Sequence, residues 1–306
     1  MEHQPALCGG PFVGASKAAA SEAAVSFGAE NNQLRGRLLA LYDALYAHFG
    51  HEPHWWPIVS DSPLLEMFVG AVLVQQTRWE TVEAAVVRLR DARLLTPAAL
   101  ATADTAMLAS LIRPCAFHGQ KAPGLQAIAR HILDRHGGDI ARMLDQERPA
   151  LRAELLALPR IGRETADTIM LYAAGHPVFI VDAYARRLFA RLGLVPGFDC
   201  ARARYDDVQA LVESALEGQI ADHPSQIAEY DLPIRTLQSA SCNFYRGLHA
   251  LIIEECVHHC LATNPRQDQP GARRSFVDPR KCAAHCLTCQ GCPLREMCAT
   301  YAMRKT

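Results

Sequence analysis

The chain has 306 residues, of which 50% are hydrophobic and 21% charged, a composition that excludes a disordered or collagen-like polymer and suggests about two domains of ~150 residues. Its longest uninterrupted apolar run, Met67 to Val74, is far short of the ~20 residues that cross a bilayer. Thirty-one Lys and Arg against 32 Asp and Glu leave a net charge of −1, which excludes a uniformly basic nucleic-acid coat and leaves room only for a local basic patch.

The start, MEHQPALCGGPFVGASKAAASEAAVSF, lacks the basic opening and continuous apolar block of a secretory signal. Residues 1–33 are rich in Ala, Gly and Ser with few large apolar groups, so they are expected to be a flexible tail. From Leu34 the apolar residues recur at three and four (Leu34, Leu38, Leu41, Leu45, Phe49), the stripe of an amphipathic helix. Trp55, Trp56 and Pro57 follow. Ser62-Pro63 and Thr96-Pro97 look like capping hydroxyls before first-turn prolines, opening helices at about 63–76 and 97–103. Gln76 and Trp79 close the first of these and open the next helix, at about 79–92. Further helices fit at about 105–113, 120–136 (carrying Lys121), 150–157, 163–174, 183–192, 204–217 and 225–258. No stretch alternates cleanly at period two, so the fold class is all-α.

The segment 155–194 is the most informative. Two helical stripes flank the short break Pro159-Arg160-Ile161-Gly162, which must turn tightly, and Gly162 permits the backbone conformation such a turn needs. The amides of this hairpin and of the helix starting near Arg163 can hold a phosphate. Between 148 and 191 there are seven Arg and four acidic residues, a local positive excess where a DNA backbone would sit. Taken alone, the break reads more readily as an ordinary corner between two helices than as a phosphate site. It is followed by Gly175-His176-Pro177, an apolar Val-Phe-Ile-Val and Asp182, itself placed as a helix N-cap before AYARRL.

Five of the eleven cysteines fall within 282–298, and the polar, proline-containing stretch 262–281 leads into them. This clustering and the odd total do not resemble a secreted disulfide framework and suggest a metal instead. Cys282, Cys289, Cys292 and Cys298 are spaced C-x6-C-x2-C-x5-C, and four thiolates in one compact loop can wrap an iron-sulfur cubane. Zinc is the rival, although common zinc modules use two separated cysteine pairs. Cys286, Cys256 and Cys260 are left over.

The helix-hairpin-helix, the Gly-His-Pro turn and Asp182 at this spacing resemble the endonuclease III superfamily of DNA glycosylases, over about residues 34–300. The resemblance implies that Asp182 is catalytic: breaking an N-glycosidic bond develops oxocarbenium charge on the deoxyribose, which a carboxylate can stabilise while orienting water. It implies DNA contacts by Gln76, inserted into the gap left by an extruded nucleotide, and by Arg160, Ile161, Gly162 and Arg163 of the hairpin, with Lys121 phosphate-facing or structural. It also implies one [4Fe-4S] cluster on the four spaced cysteines. Bifunctional members carry a lysine after the hairpin, where the amine forms a Schiff base with the sugar. Here that position is Glu164, which cannot form an imine but does suit a first-turn acid at a helix N-terminus. Trp-Trp-Pro, Gln-Thr-Arg-Trp-Glu, RPCAFHGQKA and Gly-Arg-Glu-Thr-Ala-Asp resemble the 3-methyladenine DNA glycosylase III branch, which implies a base pocket from Trp55, Trp56, Pro57, Trp79 and Glu164. Aromatic residues at such positions are also ordinary core residues. That branch has a pocket lysine where this chain has Leu251, and the branch proper lacks the cluster.

The expectation is therefore a monofunctional glycosylase of base excision repair acting on an alkylated base in double-stranded DNA. A uracil or thymine-mismatch glycosylase and a non-catalytic iron-sulfur damage-binding protein are the alternatives. The expected organisation is a six-helix domain at 62–181 and a discontinuous second domain from 34–61 plus 182–306, with a cleft between them. The molecule is expected to be a monomer without membrane association, at a cytoplasmic, nucleoid-associated bacterial address.

Overall fold

A computed structural model describes residues 17–50, 56–218, 220, 239–260 and 291–305, without the side chains of 17–30, 304 and 305. Among these residues there are thirteen α-helices, one short 310 helix at Arg295–Met297 and no strand. None of these helices is long and apolar enough to cross a membrane.

Helix α1 runs Lys17–Phe49, so helical backbone begins inside the segment expected to be a tail. The alanine-rich sequence before Leu34 propagates a helix already anchored downstream, where Leu38, Leu41 and Leu45 are fully buried. Helices α2 (Pro63–Leu73), α3 (Trp79–Asp91), α4 (Pro97–Thr102), α5 (Thr105–Leu111), α6 (His118–His136), α7 (Ile140–Leu144), α8 (Arg148–Ala157) and α9 (Arg163–Tyr172) follow. Eight helices occupy 62–181 rather than the six expected of that domain; beyond the seven segments read there from the sequence, the structure adds only the five-residue α7, whose N-cap Asp139 accepts from Arg142 N at 3.1 Å. Helices α10 (Ala183–Leu192), α11 (Tyr205–Leu216), α12 (Ala240–His258) and α13 (Ala299–Lys305) complete the chain. Helix α12 starts later than the expected 225, and residues 221–238 lie outside the described set.

Thr96 caps α4 as expected, accepting from Ala99 N at 3.2 Å. Ser62 does not cap α2. Glu66 in the first turn reaches back instead, its buried carboxylate accepting from Val59 N at 2.9 Å and Ser60 N at 2.8 Å in the segment before the helix. This ties the segment after Trp56 to α2, whose nearly all-apolar surface is buried on most sides. Helix α2 packs on α9, α8 on α9, and α4 and α5 on α6. Helix α12 packs on α1 and α10 and also touches α9. The α9–α12 contact is secured by Arg246. Fully buried, it donates through Nε and Nη2 to Leu171 O at 3.1 and 2.8 Å, placing a cation on the carbonyl end of α9.

Candidate active site between α9, α10 and α12

Helix α11 holds the segment that leads to Asp182. Phe179 N donates to Glu213 Oε1 at 2.9 Å, Gln209 Nε2 donates to Phe179 O at 2.8 Å, and Val181 N donates to Tyr205 Oη at 3.3 Å. Apolar side chains Val178 to Val181 are all buried, so this extended strip has little freedom to shift. It delivers Asp182 as the N-cap of α10, with Oδ1 accepting from Ala185 N at 2.7 Å. Capping thus fixes one carboxylate oxygen and leaves the other for chemistry.

That second oxygen, Oδ2, lies 3.7 Å from His249 Nε2 on α12. His249 Nδ1 is 2.8 Å from the Tyr172 hydroxyl at the end of α9. The tautomer in which Tyr172 donates leaves the imidazole proton directed at Asp182. Burial lowers the His249 pKa to about 4, so the ring is neutral near pH 7. Asp182 is only 5% exposed. Burial raises its pKa to about 7; the charge of Glu164 adds to the rise, and the Ala185 and Tyr184 amides oppose it. Glu164 itself is open to solvent, yet the protein atoms crowding its carboxyl raise its pKa, with Arg186 pulling the other way.

An aromatic row runs away from this carboxylate. Tyr172 stands 5.7 Å from His249 and 4.9 Å from Trp56, and Trp56 stands 5.0 Å from Trp79, all measured between ring centroids. Trp56 lies directly over Gly70, where a Cβ would come within 3.1 Å of the indole. The two indoles pack edge-on against each other, so they form one wall and not the two sides of a slot, which would need about twice the ~3.5 Å contact spacing. Their Nε1 atoms are buried without a hydrogen-bond partner. Pro57 is half-buried beside them, and Trp55 lies outside the described residues. Leu251, at the position where a lysine was considered, is buried at 3% exposure.

The hairpin differs from its reading in one respect. Gly162 has φ −93°, ordinary extended backbone, whereas Arg160 takes the left-handed conformation at φ 68°. A side chain is tolerated there because its surroundings hold it. Gln75 Nε2 donates to Arg160 O at 2.8 Å and to Thr165 Oγ1 at 3.0 Å, and Arg160 Nη1 reaches Gln120 Oε1 at 3.0 Å. The stem of Arg160 also occupies the space left by Gly124, where a Cβ would lie 2.8 Å from it. A Cβ on Gly162 would meet nothing within 4 Å. The side chain of Ile161 is buried, while Gly162 and Arg163 are exposed.

Most of the expected basic run is spent internally. Arg148 pairs with Glu213, Arg152 with Asp167 and Asp206, Arg163 with Asp206, and Arg186 donates to the carbonyls of Cys200 and Ala203. Arg160 and Arg163 remain at the surface. Lys121 is withdrawn entirely. It is fully buried and donates to Leu73 O at 2.8 Å and Gln75 O at 2.7 Å. Burial lowers its pKa to about 8, a nearby Cys115 opposing. Of the two roles expected for Lys121, phosphate contact and structural support, its burial excludes the first: its ammonium satisfies the carbonyls at the end of α2 and so braces the turn that follows.

That turn presents Gln76, exposed and left-handed at φ 53°. Thr77 Oγ1 accepts from Ala116 N at 3.0 Å, tying this turn to the start of α6. There Phe117, also left-handed at φ 59°, is 49% exposed. Sequence reasoning missed Phe117, Tyr172, His249 and Gln75 as site residues. Gln75 sits next to Gln76, which the sequence did single out, and Tyr172 is the one aromatic of α9; Phe117 carried no signal beyond a turn-like neighbourhood.

The C-terminal segment docks on α10 and α12. Cys298 Sγ approaches Arg191 O at 3.5 Å, and Cys292 Sγ approaches Glu255 Oε1 at 3.1 Å. Cys282, Cys286 and Cys289 lie outside the described residues. Cys260, just past α12, accepts from Arg191 Nη1 at 3.3 Å on its sulfur, and its carbonyl accepts from Arg187 Nε at 2.8 Å. A hydrogen bond from the Cys256 thiol and then the two arginines lower the Cys260 pKa. Of these described cysteines only Cys260 has its sulfur beside a cationic N–H donor, the setting a thiolate ligand needs, whereas Cys292 and Cys298 donate to oxygen acceptors and would give up those thiol hydrogens on binding a cluster.

Residues 69–215 match the family described as HhH-GPD superfamily base excision DNA repair protein. A Methanocaldococcus jannaschii protein bearing the name of a DNA repair glycosylase is 32% identical over 84% of this chain and 94% of its own length. The structure of a Helicobacter pylori 3-methyladenine DNA glycosylase bound to 1,N6-ethenoadenine is similar at a TM-score of 0.56 and 26% identity, covering 72% of this chain and 95% of that one. A trapped endonuclease III–DNA covalent intermediate shares the fold, with a TM-score of 0.58 and 21% identity over 89% of this chain and 99% of that one.

Proposed function

The chain belongs to the HhH-GPD superfamily of base excision DNA repair proteins, and from that premise we propose that it is a monofunctional DNA glycosylase that hydrolyses the N-glycosidic bond of an alkylated, 3-methyladenine-like base and leaves an intact abasic site. The observation that carries the reading is the Asp182 carboxylate, fixed through one oxygen by the α10 amide and faced on the other by a neutral His249.

In this reading the hairpin amides near Gly162 and Arg163 hold a phosphate flanking the lesion. Gln76 and Phe117, on adjoining left-handed turns, enter the stack from which the nucleotide leaves, Phe117 as an apolar wedge. The extruded base stacks against the indole wall, where a cationic methylated purine is favoured by the electron-rich rings. Its weakened glycosidic bond needs little help for the leaving group. As the bond lengthens, Asp182 offsets the positive charge growing on the sugar and orients the attacking water. The His249 proton steadies the carboxylate. Water supplies the nucleophile: the sugar takes its hydroxyl, the glycosidic electron pair leaves with the cationic base, which departs neutral, and the proton of the water passes to Asp182 and on to solvent.

Glu164 at the position after the hairpin supports the absence of a lyase step, as does the scarcity of amines. The chain has four lysines, Lys17, Lys121, Lys281 and Lys305, and Lys121 is committed to backbone carbonyls. The test is a panel of duplexes carrying methylated purines, ethenoadenine, uracil and mismatched thymine, with the freed base identified by mass. The account expects release of an alkylated purine, no strand cleavage and no borohydride-trapped adduct. Uracil or thymine release would move the substrate, and a trapped adduct would overturn monofunctionality.

We also propose one [4Fe-4S] cluster on Cys282, Cys289, Cys292 and Cys298. A second ligand set, with Cys260 in place of Cys282, is favoured by the Arg191 hydrogen bond to the Cys260 sulfur. Iron content and visible absorbance of Cys260→Ser and Cys282→Ser separate the two, since only loss of a true ligand bleaches the protein.

A further inference from the structure

Helices α6 and α8 carry a second constellation that excision chemistry does not use. His131 and His136 each place Nε2 2.6 Å from the same oxygen, Oε1 of Glu154. The two imidazoles stand 5.9 Å apart between centroids and are tilted by 54°, so they reach that oxygen from different directions. The other carboxylate oxygen accepts from Gln146 Nε2 at 2.6 Å. Gln146 is held in turn: its side-chain amide also donates to Met143 O at 2.8 Å, and its main-chain carbonyl is 2.9 Å from His176 Nε2. Burial opposes ionisation of Glu154, but the bonds from Gln146, His136 and His131 outweigh it and bring its pKa to about 2. Side-chain exposures of 26% for His131, 13% for His136 and 19% for Glu154 leave a path for a small ion while excluding bulk water.

We propose that His131, His136 and Glu154 form a site for one divalent transition-metal ion, of which zinc is the best match, with the fourth position open to water. The ligand types argue for it. Two imidazole nitrogens and one carboxylate oxygen are a donor set that zinc takes in tetrahedral sites keeping an exchangeable position. The geometry needs little change, because the three ligand atoms already lie within 4.8 Å of one another. Bonds of 2.0–2.1 Å to a tetrahedral ion set ligand atoms about 3.3 Å apart, so a small opening of the histidine–glutamate contacts admits the ion. Each histidine would coordinate as a neutral imidazole, offering the Nε2 lone pair with its ring proton on Nδ1, and the ion would stand where hydrogens now lie between the two Nε2 atoms and Glu154. Gln146 then acts as the outer partner that fixes the ligating carboxylate.

The ion would pin α8, the first helix of the hairpin, to the end of α6. Arg152, two residues before Glu154, already joins α8 to the fully buried Asp167 of α9 at 2.8 Å. The proposed site therefore stiffens the platform that presents the hairpin, and none of its ligands is a residue assigned to the reaction.

The test uses full-length protein carrying its iron, dialysed against a mild chelator and titrated with zinc alone. One equivalent is expected to bind and raise the thermal midpoint, and zinc K-edge absorption should show a shell of nitrogen and oxygen at about 2.0–2.1 Å without sulfur near ~2.3 Å. His136→Ala should abolish that equivalent. Glu154→Gln, which keeps the shape of the hydrogen-bond cluster, should weaken binding at least about tenfold, and Gln146→Ala about 10–100-fold. Unchanged iron content and helical circular dichroism identify the folded variants. A sulfur shell, zinc affinity unaltered in folded Glu154→Gln, or no binding by the wild-type protein would each overturn the proposal. Excision chemistry at Asp182 would stand in all three cases.

Discussion

Replacing Asp182 by Asn should make the folded protein more stable while disarming it, and the gain should depend on pH. The Asp182 carboxyl is raised from 3.8 to about 7, so the folded state holds a proton that the unfolded chain has already released. Below the unfolded value both states are protonated and no penalty exists. Stability is lost as the pH climbs through the window from 3.8 to about 7, and the loss is complete above it. At 1.36 kcal/mol per unit, the cost of ionising the buried group reaches about 4 kcal/mol by pH 8.5 and about 2 kcal/mol at pH 5. Asn cannot ionise and caps a helix as well as Asp does, so the bond to Ala185 N survives the change. Urea unfolding at the two pH values, monitored by circular dichroism, reads the difference directly. The Asn variant should exceed the wild type by roughly two and a half times as much at the higher pH. A gap that ignores pH, or an Asn variant that is the weaker protein at pH 8.5, would refute the argument that burial has raised this carboxyl.

The same group should shape the activity profile. Single-turnover kcat/KM should climb about tenfold per pH unit below about 7 and level off above it, and Glu164→Gln, by removing a neighbouring negative charge, should move that limb to lower pH. Gly162→Ala should leave unfolding free energy within about 0.5 kcal/mol of wild type, because its Cβ meets nothing within 4 Å. If the surface there receives a DNA backbone, the added methyl should still weaken duplex binding in a fluorescence anisotropy titration; unimpaired binding would remove Gly162 from the interface. Phe117→Ala, at a position 49% exposed, should be nearly silent in stability yet slow base release from paired lesions more than from single strands. Lys121→Met should cost about 2–4 kcal/mol by stranding buried carbonyls, measured by denaturant midpoint.

What the sequence made legible was local. The boundaries of α10 and the capping role of Asp182 followed from a short acid before AYARRL, and both are as read. The all-α class followed from apolar periodicity. Long-range convergence was hidden: Tyr172 and His249 are separated by 77 positions, and nothing local announces that one hydroxyl meets the other's ring. Charge counting misled for a similar reason. The arginines between 148 and 191 looked like one basic face, but Arg148, Arg152, Arg186 and Arg187 point at partners in α9, α11 or the loops beyond α10 and α12. The strained residue of the hairpin was misplaced because glycine is the usual occupant of left-handed backbone, whereas here a glutamine and a glycine from elsewhere in the fold hold Arg160 in it.

The central claim is that a single carboxylate carries the excision. Single-turnover release of an alkylated purine from duplex DNA, measured for wild type and Asp182→Asn alongside the affinity of each for the same duplex, addresses it most directly. The account predicts a loss of at least about a hundredfold in the chemical step with binding within a few-fold of wild type. Release by the Asn variant at near wild-type rate, with binding intact, would contradict it.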